Sequence, residues 1–184
     1  MILLSETIYL RQLTPDDADM MLDLRVQNRQ FLQLYEPIRP ESFYTLEGQR
    51  DALNKGVEDW ELDRGYAFGL FLKENDTLIG RAALSNVVRG VGQYADLGYF
   101  LDQEHTGKGY MTQAVSLITA FGFQSLRLHR IQAGVMPWNE ASLAVLARAG
   151  FEREGIARKY IRINGRWEDH VILSLINDQE EDML

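Results

Sequence analysis

Residues 94–120 change their hydrophobic period once, and this change constrains the fold more than any other feature of the sequence. In the first eight residues alternate side chains share a face, with Ala95, Leu97, Tyr99 and Leu101 on one side and Asp96, Gly98 and Phe100 on the other. From Met111 onward the apolar spacing is that of a helix. The segment therefore predicts a strand that leads through a glycine-containing loop into an amphipathic helix.

The loop between this strand and this helix reads His-Thr-Gly-Lys-Gly-Tyr-Met. Because the first backbone N–H groups of a helix have no partner within it, they bind phosphate well. A Walker loop would need glycine at 102 and serine or threonine at 109, where the chain has Asp102 and Gly109. A dinucleotide fingerprint would need glycine or alanine in place of Thr112. The loop predicts a diphosphate site that suits neither ATP nor NAD, or else a tight turn that needs glycine for positive φ.

Turn, cap and period signals place further elements on both sides of this segment. They predict a strand at 8–13, a helix capped by Thr14 with Pro15 at its first position, a short helix at 30–34, a proline loop at 36–40, a helix at 45–62, hairpin strands at 66–73 and 78–88, a strand at 131–135, a helix at 139–149, and strands at 159–162 and 167–176 around an Asn-Gly turn. Because a helix joins them, the strands at 94–101 and 131–135 are expected to be parallel.

Composition bounds the class of protein. The 184 residues are 46% hydrophobic and 25% charged, which indicates one globular domain over 1–184, with its core at about 8–176 and a frayed acidic tail at 177–184. No run approaches the roughly 20 apolar residues of a membrane span, and the first ten residues do not resemble a signal peptide, so a cytoplasmic protein is expected. The net charge of −8 disfavours nucleic acid as a partner.

The residue types also limit the chemistry. Cysteine is absent, which rules out disulfides, thiolate metal ligands and a cysteine nucleophile. The three histidines, His105, His129 and His170, are scattered without metal-ligand spacing. No metal is therefore expected, and an acyl transfer would have to avoid a cysteine-bound intermediate.

The order of the elements over about residues 8–176 resembles the GNAT superfamily of acyl-CoA N-acyltransferases. The run from Thr106 to Met111 is similar to the superfamily's (Gln/Arg)-x-x-Gly-x-(Gly/Ala) signature, from which those two residues depart. Three segments are similar to the ribosomal-protein N-terminal acetyltransferase branch (RimJ/RimL type): Leu-His-Arg-Ile at 128–131, Asn139-x-x-Ser142 with Gly-Phe at 150–151, and residues 155–170. The resemblance implies an α/β GNAT fold with a mixed, mostly antiparallel central sheet flanked by helices.

The resemblance also implies the reaction, which is direct transfer of acetyl from acetyl-CoA to an amine without a metal. The acceptor implied first is the N-terminal α-amine of a protein such as a ribosomal protein. A small amine, polyamine or antibiotic is the alternative within this enzyme class, and a non-catalytic acyl-CoA-binding module is the alternative outside it. A monomer and a homodimer both fit. The expected contacts to acetyl-CoA are Phe100, Leu101, Thr106, Gly107, Lys108, Gly109, Tyr110, Met111 and Asn139.

Two catalytic residues are predicted. The resemblance implies that Ser142 protonates the departing thiolate, although Asn139 and Ser142 could instead cap each other at the start of a helix. Asp96 is the candidate general base, acting through water, although it could instead pair with an arginine for structure. The RimL type is thought to use a glutamate where this chain has Ile161, so that role does not carry over.

Weaker candidates for the base are Glu36, Asp169 and His170, while His105 is expected to be solvated or to lie beside the phosphate. An α-amine has an ordinary pKa of about 7.7–8.0 and loses its proton near pH 7 at a cost of about 1 kcal/mol, whereas a lysine amine costs over about 4 kcal/mol. An α-amine acceptor therefore needs only a weak base or a chain of water molecules.

Overall fold

The computed structural model describes residues 1–178, whose eight strands form one sheet. The strands are β1 (Ile2–Leu4), β2 (Ile8–Gln12), β3 (Tyr66–Leu72), β4 (Leu78–Val88), β5 (Tyr94–Leu101), β6 (Arg130–Val135), β7 (Glu152–Ile163) and β8 (Arg166–Ile176). Their order is β1-β2-β3-β4-β5-β6-β8-β7. Every neighbouring pair is antiparallel except β5 and β6, which confirms the predicted parallel crossover. The predicted frayed tail at 177–184 lies outside the described residues from 179 onward.

Five α-helices flank the sheet within residues 1–178. They are α1 (Ala18–Gln27), α2 (Arg29–Gln33), α3 (Leu46–Glu61), α4 (Tyr110–Gln124) and α5 (Glu140–Arg148). None of these helices is long and apolar enough to cross a membrane. The predicted α/β architecture, a mixed and mostly antiparallel sheet flanked by helices, is confirmed.

The main core lies on the side of the sheet that α4 covers, which we call the α4 face. Buried side chains from the sheet meet those of α4 and α5 there, among them Leu70, Leu84, Ala95, Leu97, Val115, Ile118, Ile131 and Leu146. Burying an aliphatic side chain of this size stabilises the fold by about 1.5–3 kcal/mol. The apolar stripe predicted for β5 therefore points into the core and fixes the orientation of the strand.

A second, smaller cluster lies on the opposite side of the sheet, which we call the α1 face. It contains side chains of α1, α3 and the sheet, including Leu13, Ala18, Met21, Leu53, Phe71, Leu78 and Phe100. Phe100 thus packs on the face opposite to Leu97, as the alternation along β5 requires. Asp96 and Gly98 share this α1 face, so β5 presents polar and small residues on the side away from α4.

The helix start predicted at Thr14 is confirmed with one difference. Pro15–Asp17 forms a 3-10 turn, and the α-helix begins only at Ala18. The Thr14 N–H donates to Asp17 Oδ2 at 2.8 Å. Arg11 of β2 donates to both oxygens of the same carboxylate, at 2.8 and 2.6 Å. The two-pronged contact ties the start of α1 to the neighbouring strand.

Two strand predictions fell short at the edges of the sheet. The strand β1 was not predicted, and β7 begins at Glu152, seven residues before the predicted strand at 159–162. Both are edge strands, so neither needs a continuous apolar stripe, and Ile2 and Leu4 are largely exposed. The register of β7 against β8 also shifts twice, between Arg153 and Gly155 and between Ala157 and Ile161, which breaks the alternation that sequence analysis relies on.

Candidate active site

The sheet opens between its two parallel strands. Only three residue pairs join β5 to β6: Tyr94 with Arg130, Ala95 with Ile131, and Asp96 with Gln132. Beyond this point β5 continues to pair with β4 and β6 with β8, but the two strands no longer pair with each other. The edge of β5 from Leu97 to Leu101 therefore has backbone N–H and C=O groups that face a gap rather than a neighbouring strand.

The glycine loop enters α4 with its backbone exposed. Gly107 and Gly109 have φ values of +76° and +80°, and Gly109 is the N-cap of α4. A Cβ at either glycine would meet no heavy atom within 4 Å, so open space lies in front of the first helical turn. Because α4 is 15 residues long and begins with free N–H groups, this space suits an anionic group.

A cavity of about 380 Å³, which we call the central cavity, connects this loop to the gap beside β5. Nine of the eleven predicted site residues line it: Phe100, Leu101, Thr106, Gly107, Gly109, Tyr110, Met111, Asn139 and Ser142. The other walls come from α2 and from α5. Lys108 is exposed and does not line the cavity, and Asp96 lies outside it as well.

The start of α5 separates the two roles that the sequence left open for Asn139 and Ser142. Asn139 Oδ1 accepts a hydrogen bond from the Ser142 backbone N–H at 3.2 Å, so Asn139 caps the helix. The Ser142 hydroxyl takes no part in this cap. It lies 2.8 Å from the hydroxyl of Tyr99 at the wall of the central cavity. The hydroxyl of Ser142 is therefore available for chemistry.

Tyr99 is a site residue beyond the sequence predictions, because the alternation along β5 indicates only that it lies on the apolar face. Burial raises the pKa of Tyr99 to about 12, although its hydrogen bond to Ser142 acts in the opposite direction. Its hydroxyl consequently stays protonated at neutral pH and can donate to Ser142 Oγ, which leaves the serine hydrogen free to point into the cavity. The sequence contains one signal for it, the hydroxyl group of a tyrosine on an otherwise apolar face of the strand. A buried tyrosine hydroxyl usually has a hydrogen-bond partner.

Asp96 lies on the α1 face beside the point where the strands separate. Its two oxygens accept hydrogen bonds from the side-chain amides of Asn86 and Gln132, each at 2.8 Å. Gln132 is in turn held by Arg130, which forms a two-pronged ion pair with Glu154. The alternative structural role for Asp96, pairing with an arginine, is therefore met only indirectly, because Arg130 contacts Gln132 rather than Asp96. The role of Asp96 as a base stays a prediction.

The weaker candidates for the base have other contacts. Glu36 lines the central cavity, and its Oε1 accepts from Arg25 at 2.7 Å. Asp169 accepts from the backbone N–H of Lys159 on the β7–β8 hairpin, and buried His170 contacts a backbone carbonyl through Nδ1. Among the described residues, no group of three or more histidine, aspartate or glutamate side chains is placed to hold a metal ion.

Comparison with known proteins identifies the family. Residues 7–152 match the family model described as an acetyltransferase (GNAT) domain. The chain is a GNAT acetyltransferase. The predicted superfamily and enzyme class are thereby confirmed.

Relatives within the GNAT family resemble the chain over nearly its whole length. It is 48% identical over 176 residues to the probable N-acetyltransferase YjcK of Bacillus subtilis (strain 168), covering 96% of this chain and 97% of that protein. The crystal structure of ribosomal-protein-S5-alanine acetyltransferase from Vibrio fischeri superposes with a TM-score of 0.92, at 37% identity and 97% coverage of both chains. Mycobacterium smegmatis RimJ in complex with CoA-disulfide superposes with a TM-score of 0.88, at 27% identity, covering 96% of this chain and 84% of that one. The predicted similarity to the ribosomal-protein acetyltransferase branch is confirmed.

Proposed function

We propose that this GNAT acetyltransferase transfers acetyl from acetyl-CoA to the N-terminal α-amine of a protein, with a ribosomal protein as the model acceptor. The main support for a protein acceptor is that the gap between β5 and β6 can be reached from the α1 face. Gly98 on β5 and Gly134 on β6 flank the gap on that face, and both are exposed. A Cβ at Gly98 would meet no heavy atom within 4 Å, whereas one at Gly134 would contact Tyr160 at 3.5 Å and His170 at 3.6 Å. An extended polypeptide end can therefore approach the gap from outside the sheet on the Gly98 side. A ribosomal acceptor would place the reaction in the cytoplasm.

The donor half follows from the family, whose members use acetyl-CoA without a metal. In this chain the backbone N–H groups of residues 107–111 would hold the diphosphate, and the unpaired edge of Leu97–Leu101 would hold the pantetheine arm. Asn139 would fix the wall of the cavity by capping α5. Bound acetyl-CoA supplies an acetyl thioester that an amine can attack. Lys108, which is exposed at the loop, would add charge at the rim.

The chemistry divides between the two faces of β5. Ser142, with Tyr99 donating to it, would hold the proton that the departing thiolate takes up. Asp96 on the opposite face would accept the proton of the incoming amine through a water molecule. It is two residues from Gly98 along β5 and lies on the same face of the strand. A weak base suffices there, since an α-amine is partly deprotonated at neutral pH.

A panel of acceptors tests the proposed function. We expect decapeptides that begin with alanine or serine to release coenzyme A thiol and to gain one acetyl group at the α-amine, as located by fragment mass spectrometry. Below about pH 7.7 the rate should rise about tenfold for each pH unit, because the neutral fraction of the amine rises by that factor. The same peptides with a formylated N-terminus and an internal lysine serve as the matched control and should not react. Turnover confined to polyamines or aminoglycosides would refute a protein acceptor and favour the small-amine alternative.

A further inference from the structure

Arg81 is a charged side chain in the middle of the sheet for which the fold provides no partner. It lies on β4 directly opposite Phe100. Within residues 1–178 the guanidinium group of Arg81 makes no hydrogen bond and no ion pair. It lines a second cavity, of about 500 Å³, between β4 and the end of α3, which we call the β4 cavity. A guanidinium group has five N–H donors, and because Arg81 is only half-buried, its donors reach the solvent of the β4 cavity and are open to an acceptor there. An acceptor from outside the fold therefore has access to Arg81.

The groups around Arg81 add positive charge rather than neutralise it. Arg25, which is buried, lies with its guanidinium carbon 3.7 Å from the centroid of the Phe100 ring, on the same part of the α1 face. Its Nη1 donates to Glu36, and its Nε has no partner. Arg39 also acts on Arg81 electrostatically, and Glu36, which is already paired with Arg25, is the one carboxylate that opposes these two charges. This local excess of positive charge is opposite in sign to the net charge of the protein, which is −8.

The environment of Arg81 reflects this excess. Its side chain keeps partial contact with solvent through the β4 cavity, although protein surrounds it closely. Burial, and then the charges of Arg25 and Arg39, lower the pKa of Arg81 to about 10 against the opposing effect of Glu36. Protein groups therefore disfavour the cation here, whereas a bound anion would favour it.

The remaining charges in the β4 cavity leave no anion for Arg81. Among the described residues that line the cavity, Asp59 is the one acid. Its carboxylate is already paired with Lys55 at 3.5 Å and with Arg64 at 2.9 Å. The cavity is therefore cationic, and it has room for a side chain that enters from the surface.

The β4 cavity lies beside the path proposed for the acceptor. Arg81 is two residues along β4 from Ala83, which pairs with Gly98, and this spacing is about 7 Å. Asn86 lines the same cavity and donates to Asp96. An extended peptide advances about 3.3 Å per residue, so its second to fourth residues would reach the cavity when its α-amine lies at Gly98.

We propose that Arg81, whose positive charge Arg25 and Arg39 reinforce, binds a carboxylate of the acceptor, so that the enzyme prefers N-termini with aspartate or glutamate at positions 2 to 4. This inference rests on the proposed function and adds the substrate class to it. A planar guanidinium fits a carboxylate through two parallel hydrogen bonds, which gives direction as well as affinity. The cation would thus select the acceptor sequence and align its amine with the gap.

Matched peptides test the preference with the unmodified enzyme. Three decapeptides that begin with alanine carry glutamate, glutamine or lysine at position 3 and are otherwise identical. We expect kcat/KM to be about 10 to 30 times higher for the glutamate peptide than for the glutamine peptide, mainly through KM, and lowest for the lysine peptide. Positions 2 and 4 are then scanned with the same substitution.

Variants assign the preference to Arg81. Arg81→Met should bring the glutamate and glutamine peptides within about twofold of each other while the affinity for coenzyme A stays within about twofold of the unmodified enzyme. Arg81→Glu should reverse the order and favour the lysine peptide. Arg50→Met is the matched control, because Arg50 is exposed on α3, does not line the β4 cavity and carries the same charge. It should leave the preference intact.

The outcomes separate the two proposals. Equal rates for the glutamate and glutamine peptides, or a preference that survives Arg81→Met, would overturn the carboxylate site and leave N-terminal acetylation standing. Failure to acetylate any peptide would overturn the proposed function and this inference with it. Because the peptide comparison uses the unmodified enzyme, the inference remains testable even where a variant does not fold.

Discussion

A Gly109→Val variant should lose at least about 100-fold in affinity for coenzyme A while remaining folded. Gly109 has φ of +80° at the N-cap of α4, and the space in front of its Cα is open. A valine there puts two methyl groups where the diphosphate would lie and strains the backbone by about 1–2 kcal/mol. The affinity loss corresponds to about 2.7 kcal/mol, which is no more than two charge-assisted hydrogen bonds provide.

Gly90→Val is the matched control for this prediction. Gly90 also has a positive φ, of +69°, and a Cβ there would meet no heavy atom within 4 Å, but it lies in the exposed turn between β4 and β5. Both variants should lower the melting temperature by a similar amount, because both place a branched residue in the left-handed region. Titration calorimetry with coenzyme A separates them. Equal affinity in the two variants would show that the loop does not hold the diphosphate.

The part of the fold that sequence predicted best is the part with the strongest local signals. The strand β5 was expected at 94–101 and lies there, because the residues on one side of it are buried or partly buried and the loop that follows ends the alternation abruptly. The start of α4 is predictable from Gly109, because its positive φ ends the preceding loop and makes it the N-cap of the helix. Where burial, turn chemistry and period agree within a few residues, the elements can be derived from sequence.

Contacts between distant parts of the chain were beyond sequence reasoning. Tyr99 and Ser142 are 43 residues apart, and only the folding of α5 against β5 brings their hydroxyls to 2.8 Å. Arg81 is an ordinary alternating position in the sequence of β4, and its lack of a partner becomes visible only when the surrounding side chains are in place. Residues that would bind the ligand through their backbone groups were therefore predictable from a sequence motif. Residues whose role depends on contacts with side chains distant in the sequence were not.

Ser142→Ala should lower kcat by about 10²-fold or more and change the KM for acetyl-CoA by less than about threefold. General acid catalysis contributes about 10² to 10⁴ in rate, and the serine hydroxyl does not cap α5, so its loss leaves the cavity wall in place. Tyr99→Phe should reduce kcat by a smaller factor, about tenfold, because it removes only the donor that orients Ser142 Oγ. Tyr94→Phe, on the same strand but outside the central cavity, is the control and should retain full activity.

The double variant decides whether the two hydroxyls act as a unit. If Tyr99 works through Ser142, then Tyr99→Phe should cost almost nothing once Ser142 is alanine, so the two effects on kcat will be far from additive. Because the pKa of Tyr99 is raised to about 12, its proton is present throughout the working range, and neither variant should shift the pH at which kcat rises. That midpoint belongs to the acceptor amine. Additive losses in the double variant, or an unchanged kcat in Ser142→Ala, would mean that the thiolate takes its proton from another group, and the side chain of Ser142 would then serve only to line the cavity.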